Sequence, residues 1–260
     1  MDMFLFEHAG ISFAHKEGFT SSPKDEFDKH IHHFLEVVYF LRGSVEFHID
    51  EEKRSLSPND VVLILPGQYH FADVNRGETY ERYVCKIPED QLSASLVSRL
   101  LRYPSFFSSC ESLLPLLEDL DEGFLEYQEE EFHDFCLAKI TEFLLALGKK
   151  EGSKRNEKIN PLVHRIIDYV DEHIREPLSL ERLSEELAYS PGRISKAFSM
   201  EMKVSLMSYI RGKKLLGAHA LIRQGMNAQE AASAMGFSDY STFYRGYLKM
   251  FGDKPSSGRN

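Results

Sequence analysis

The sequence predicts an α+β chain: a small antiparallel β-barrel or sandwich with flanking helices, then an all-α domain of two helix-turn-helix units. Three observations predict it: a change of hydrophobic period along the chain, a polar stretch between two regular regions, and an internal repeat towards the carboxyl end. A length of 260 residues exceeds the roughly 100 to 200 residues of one domain, so two domains are expected. Hydrophobic residues at 42% and charged residues at 28% exclude disordered and fibrous sequence. No run reaches the roughly 18 apolar residues of a membrane span, and the start MDMFLFEHAG lacks a secretory signal's basic region and cleavage site. The expected compartment is the cytoplasm.

From Phe34 to Ile87 short runs of Val, Ile, Phe and Tyr alternate with turn residues at Arg42-Gly43-Ser44, Ser57-Pro58-Asn59-Asp60 and Pro66-Gly67, the pattern of short antiparallel strands. Beyond Pro88 apolar residues recur three and four apart, predicting helices at Gln91 to Leu101, Glu111 to Leu120 and Glu129 to Leu147. These helices either cover the barrel or pair subunits. Residues 149–160 are polar and almost free of apolar side chains, so they form a linker between a domain at 1–148 and another at 161–260. Cys85, Cys110 and Cys136 are odd in number and too far apart for a zinc motif or redox pair, which implies reduced thiols.

The net charge of −10 is unevenly placed: residues 160–260 hold 14 Lys+Arg against 11 Asp+Glu, and the remainder 17 against 30. One half could approach a polyanion that the other would repel. In the less acidic half, Pro161 opens a helix whose apolar face is Leu162, Ile166, Ile167 and Val170. The stretch from Ser179 to Ser190 is then repeated from Asn227 to Ser238, 48 residues on. Each copy starts a short helix at a capping residue, Ser179 or Asn227, and directs Leu183 and Leu187, or Ala231 and Met235, to a core. A tight turn with a capping Ser leads to a second helix, at 191–202 and 239–251, burying Phe198 or Tyr247. Gly192, Arg193, Ser195 and Lys196 in the first copy, and Tyr240, Ser241, Tyr244, Arg245 and Lys249 in the second, are the candidate DNA-binding residues. Between the copies, Ser205 to Gln224 reads as one helix of about 30 Å, long enough to set two readers in successive major-groove turns.

Ser190-Pro191 followed by Phe198, then Gly236-Phe237-Ser238-Asp239 through Phe243, Arg245 and Lys249, closing with Gly252, Pro255 and Arg259, resembles the AraC/XylS family of bacterial regulators. The resemblance runs over residues 161–260 in order and spacing. It departs at Gly246, expected to interrupt the second reading helix, and at Gly192, where the family often carries a larger contact residue. Arg245 suits a base contact, whereas Lys249, Lys213, Lys214 and Arg211 suit phosphate contacts or plain surface charge. Tyr240 and Tyr244 are open between groove contacts and packing.

In the acidic half, His30, His32, Glu36 and Gly43 follow the spacing HxHx3Ex6G, and Pro66 is followed by His70, which together resemble the two motifs of the cupin barrel. Residues 30, 32 and 36 share parity along a strand and would point to one interior. With His70 they offer three imidazoles and a carboxylate, a set suited to zinc, manganese, iron or nickel. The resemblance implies a sensor barrel in which the same four residues hydrogen-bond a small effector, a sugar among the candidates, or brace a loop without metal; no cofactor is assigned. The reading is a transcription regulator rather than an enzyme, with promoter DNA, a small-molecule effector and a second copy as partners, and RNA polymerase if it activates. The rivals are a metal-dependent cupin oxygenase or isomerase fused to a helical module, and an acidic protein scaffold.

Overall fold

The computed structural model describes residues 2–19, 30–50, 52–75, 77–150, 157–158 and 160–255. The predicted linker lies mostly outside the described residues, as does Arg259. By contact the chain separates into two units, one of residues 1–28 and 33–157, the other of residues 29–32 and 158–260.

The first unit holds two antiparallel sheets. One is a six-stranded sheet in the order β1-β2-β8-β3-β6-β9, with β1 at Asp2–His8, β2 at Ile11–Phe19, β3 at Leu35–Arg42, β6 at Val61–Ile64, β8 at Thr79–Ile87 and β9 at Phe106–Phe107. In the other, β4 (Val45–Ile49) lies between β5 (Glu52–Ser55) and β7 (His70–Val74). Strands also precede the expected start at Phe34: β1 and β2, of 7 and 9 residues, include Glu7, His8, His15, Lys16 and Glu17, which blur the alternation.

Strand β3 shows why this region is so apolar. Val37 and Tyr39 join a core with the helices, while Val38 and Phe40, on the opposite face, join a second core with Val45, Phe47, Ile64 and Tyr80. Side chains alternate across a strand, so one covered on both faces is apolar at nearly every position. The helices are α1 at Ala94–Leu100, α2 at Leu114–Glu126 and α3 at Glu129–Leu147. They bury Leu96, Leu117, Leu120, Phe132, Ile140 and Phe143 in the first core, and so cover the sheet. Cys85, Cys110 and Cys136 are free and buried, and burial raises all three thiols above their ordinary pKa.

The second unit is helical: α4 at Pro161–Glu172, α5 at Leu180–Leu187, α6 at Pro191–Met202, α7 at Leu206–Arg223, α8 at Ala228–Ala234 and α9 at Tyr240–Phe251. Asn160 caps α4 and Pro161 occupies its first turn, where a missing N–H costs nothing. No helix of the described chain is long and apolar enough to cross a membrane.

Candidate nucleic-acid interface and sensor site

Each repeat builds a short helix, a sharp reversal and a capped second helix. In the first, the Ser179 hydroxyl accepts the Arg182 N–H at 3.2 Å and α5 ends at Ala188, in the left-handed region at φ +58°. The Ser184 hydroxyl donates to the Tyr189 carbonyl at 2.6 Å, closing the turn, and Ser190 caps α6. Ile194, Phe198 and Met202 face inward. Gly192, Arg193 and Lys196 are exposed and Ser195 is half-buried.

In the second, Asn227 caps α8 through the Glu230 N–H at 2.9 Å, and Gly236 makes the turn at φ +70°. The cap of α9 is Asp239 rather than the Ser expected from the first copy. Its carboxylate accepts the N–H groups of Ser241 and Thr242 at 3.2 and 2.7 Å, together with the Thr242 hydroxyl. Those bonds, the Thr242 hydroxyl first, hold its pKa below the ordinary aspartate value. Phe243 and Tyr247 are buried; Tyr240, Ser241, Arg245 and Lys249 are exposed, and Tyr244 is half-buried. Tyr240 leans on Phe243 and Tyr244 with ring centroids 5.5 and 6.3 Å away, so it packs and yet remains accessible.

Two expectations are corrected here. Gly246 does not interrupt the second reading helix, which runs on to Phe251. Its missing side chain admits Leu215 of α7, since a Cβ would stand 3.1 Å from the Leu215 Cδ1. Lys214 is neither a phosphate contact nor a surface charge: its ammonium is buried and donates to the carbonyls of Glu176 at 2.8 Å and Gly236 at 3.5 Å. Burial lowers its pKa. Lys213 is matched with Asp171 at 2.8 Å. Spacing shows where cations occur, whereas only packing shows which are already satisfied. Helix α7, 18 residues long and so about 27 Å, joins the two repeats.

In the sensor half, Glu36 shares parity with Val38 and Phe40 and points between the sheets. The shared-strand argument fails for His30 and His32, because β3 begins only at Leu35. By contact His30 and His32 group with the second unit, whereas Glu36 and His70 belong to the first. His32, Glu36 and His70 are buried and His30 is exposed. His70 Nε2 stands 3.8 Å from a Glu36 carboxylate oxygen. Its Nδ1 lies 3.0 Å from the Gln68 carbonyl, which can only accept, so Nδ1 carries the proton and Nε2 is the nitrogen presented to Glu36. A carbonyl holding the far nitrogen is also how proteins orient a metal-binding imidazole, so His70 and Glu36 offer a nitrogen and a carboxylate that suit a divalent transition metal as well as a hydroxyl-rich ligand.

Sequence reasoning missed Tyr80 and Arg82. Both are buried, on the face of β8 that faces the second core, and the Arg82 guanidinium lies 4.2 Å from the Tyr80 ring centroid. Burial, its largest cause, pushes the Tyr80 hydroxyl up to about 12. A lone Arg within a strand carries no motif, so no spacing rule would have found it.

A family profile described as an AraC-like ligand binding domain matches residues 18–147, half of the chain, and a helix-turn-helix domain profile matches residues 183–260. The chain is 23% identical over 246 residues to the XylDLEGF operon transcriptional activator 1 of Pseudomonas putida, covering 85% of this chain and 74% of that one. It is 31% identical over 98 residues to the multiple antibiotic resistance protein MarA of Salmonella typhimurium, 37% of this chain and 77% of that protein. The crystal structure of ToxT from Vibrio cholerae O395 aligns with 96% of this chain and 97% of its own at 17% identity and a TM-score of 0.41.

Proposed function

We propose, from the premise that the chain belongs to the AraC family of transcriptional regulators with a ligand-binding domain, that α6 and α9 each enter a major groove of promoter DNA. Gly192, Arg193, Ser195 and Lys196 then line the first reader, and Tyr240, Ser241, Tyr244, Arg245 and Lys249 the second. The observation that carries this reading is the duplication: two capped helices, each with an inward aromatic and an outward face of polar and cationic residues. A bundle built only for stability has no need to repeat that arrangement. Helices that enter a groove read mainly with their amino-terminal residues, so Arg245 suits a base edge and Lys249 the backbone beyond it.

The sensor half, in this reading, receives a small polar effector at His30, His32, Glu36 and His70, and the acidic unit pairs with a second copy. Effector binding shifts the chain between arrangements of different promoter affinity, in the cytoplasm, with RNA polymerase as the further partner where transcription is activated. Selection of bound sequences from random DNA, with and without candidate sugars, tests reader and effector together. Recovery of no preferred sequence overturns the reader assignment. Elemental analysis separates the two chemistries of the quartet: one tightly held metal per chain, with DNA binding abolished on chelation, replaces the effector site by a metal site.

A further inference from the structure

Beyond the two reading helices, one aromatic ring gathers two guanidinium groups. The Cζ of Arg193, in the first turn of α6, lies 4.5 Å from the Tyr189 ring centroid, and the Cζ of Arg165, from α4, lies 5.9 Å from the same centroid. The two charges are therefore no more than about 10 Å apart, the sum of those distances. Both arginines are exposed, and among the described residues neither has an ion pair with a carboxylate. Arg182 and Lys213 of the same unit are matched with Glu176 and Asp171.

Tyr189 itself is held by its turn, through the left-handed Ala188 before it and the Ser184 hydroxyl on its carbonyl. A guanidinium stacked on a ring loses freedom while its N–H groups stay in its own plane, directed outward, in the geometry that matches two oxygens of a phosphate. Two like charges around one ring, without a carboxylate, leave a positive spot that an anion satisfies.

We propose that Arg165 and Arg193, set by the ring of Tyr189, form a clamp for DNA backbone phosphate beside the first reader. Tyr189 is the positioning residue of this clamp and Arg165 a DNA contact from outside both readers. The clamp rests on the reading of α6 as a major-groove helix. It names a phosphate rather than a base, because Arg165 belongs to α4, outside both reading helices.

The test is a salt titration of full-length protein on a selected sequence and on scrambled DNA, for wild type, Arg165→Gln, Tyr189→Leu and Tyr189→Phe. Arg165→Gln is expected to lower the slope of log affinity against log salt by about 1, and affinity on both DNAs alike by about fivefold at 0.15 M salt. Tyr189→Leu should do the same, while Tyr189→Phe, which keeps the ring face, should behave as wild type. Arg165 is exposed, so its variant remains informative if Tyr189→Leu fails to fold. An unchanged slope in Arg165→Gln, or a changed base preference, overturns the clamp while leaving the reading of α6 intact. Wild-type protein that prefers no DNA sequence overturns that reading, and the clamp with it.

Discussion

The same substitution, Gly→Ala, should have opposite signs at two glycines of the helical unit. Gly236 sits at φ +70°, where a side chain costs about 1 to 2 kcal/mol. A Cβ there would stand 2.7 Å from the Arg175 carbonyl oxygen and 2.8 Å from the Lys214 Nζ. The first is backbone, and the second is tied to the Glu176 carbonyl at 2.8 Å, so neither neighbour yields freely. Forcing an extra methyl into such a contact costs about 1 to 3 kcal/mol, for a total of roughly 2 to 5 kcal/mol with the backbone penalty. At about 4 to 8 °C per kcal/mol for a unit near 100 residues, Gly236→Ala should lower its Tm by about 8 °C or more. Gly192 lies inside α6, and a Cβ there would meet nothing within 4 Å. Gly192→Ala should therefore stabilise by up to about 0.5 to 1 kcal/mol through the lost freedom of the unfolded glycine. Calorimetry of both full-length variants gives the comparison. A Gly236→Ala protein that melts with wild type, or a Gly192→Ala protein that loses as much stability as Gly236→Ala, would refute the packing argument.

Arg245→Ala should cost about 1 to 3 kcal/mol on the selected sequence and relax preference at one base pair, whereas Lys249→Ala should weaken selected and scrambled DNA alike and lower the salt slope by about 1. Competition binding measures both, and the reverse pattern would place the helix differently in the groove. Lys214→Met keeps the apolar stem but leaves the Glu176 and Gly236 carbonyls without their donor, at a cost of about 1 to 3 kcal/mol; an unchanged melting curve would deny the ammonium a structural part. On the acid side, burial pushes the Glu81 carboxyl up, but hydrogen bonds from Arg42 and His15 outweigh it and hold the pKa below 4.5. The stability that Glu81 adds is thus complete above that value and lost as pH falls through the lower, folded one. Glu81→Gln should flatten the acid limb of a stability-against-pH curve, and an equally steep limb in the variant would remove Glu81 as its source.

What the sequence determined by itself is what depends on near neighbours along the chain. The helix starts at Ser179, Ser190 and Asn227 were readable because a cap satisfies an N–H only two or three residues ahead, and the structure shows each hydroxyl or amide oxygen doing so. The faces that bury Leu183, Phe198 and Tyr247 follow from the 3.6-residue period alone, and the family resemblance rests on that same local order. The cation roles did not follow. Arg211, Lys213 and Lys214 look alike in sequence, yet Lys214 is buried against carbonyls 38 and 22 residues away and Lys213 meets Asp171, 42 residues away. Gly246 likewise read as a break, because the reason for it, the Leu215 side chain, lies on another helix. His30 and His32 do not share a strand with Glu36, since β3 begins only at Leu35, and Tyr80 and Arg82 reach the space between the sheets on a strand with no motif at all. Local propensity and capping act within a turn of helix and are written in adjacent letters; desolvation, close packing and charge pairing act through space, and only the tertiary structure decided which distant groups would meet.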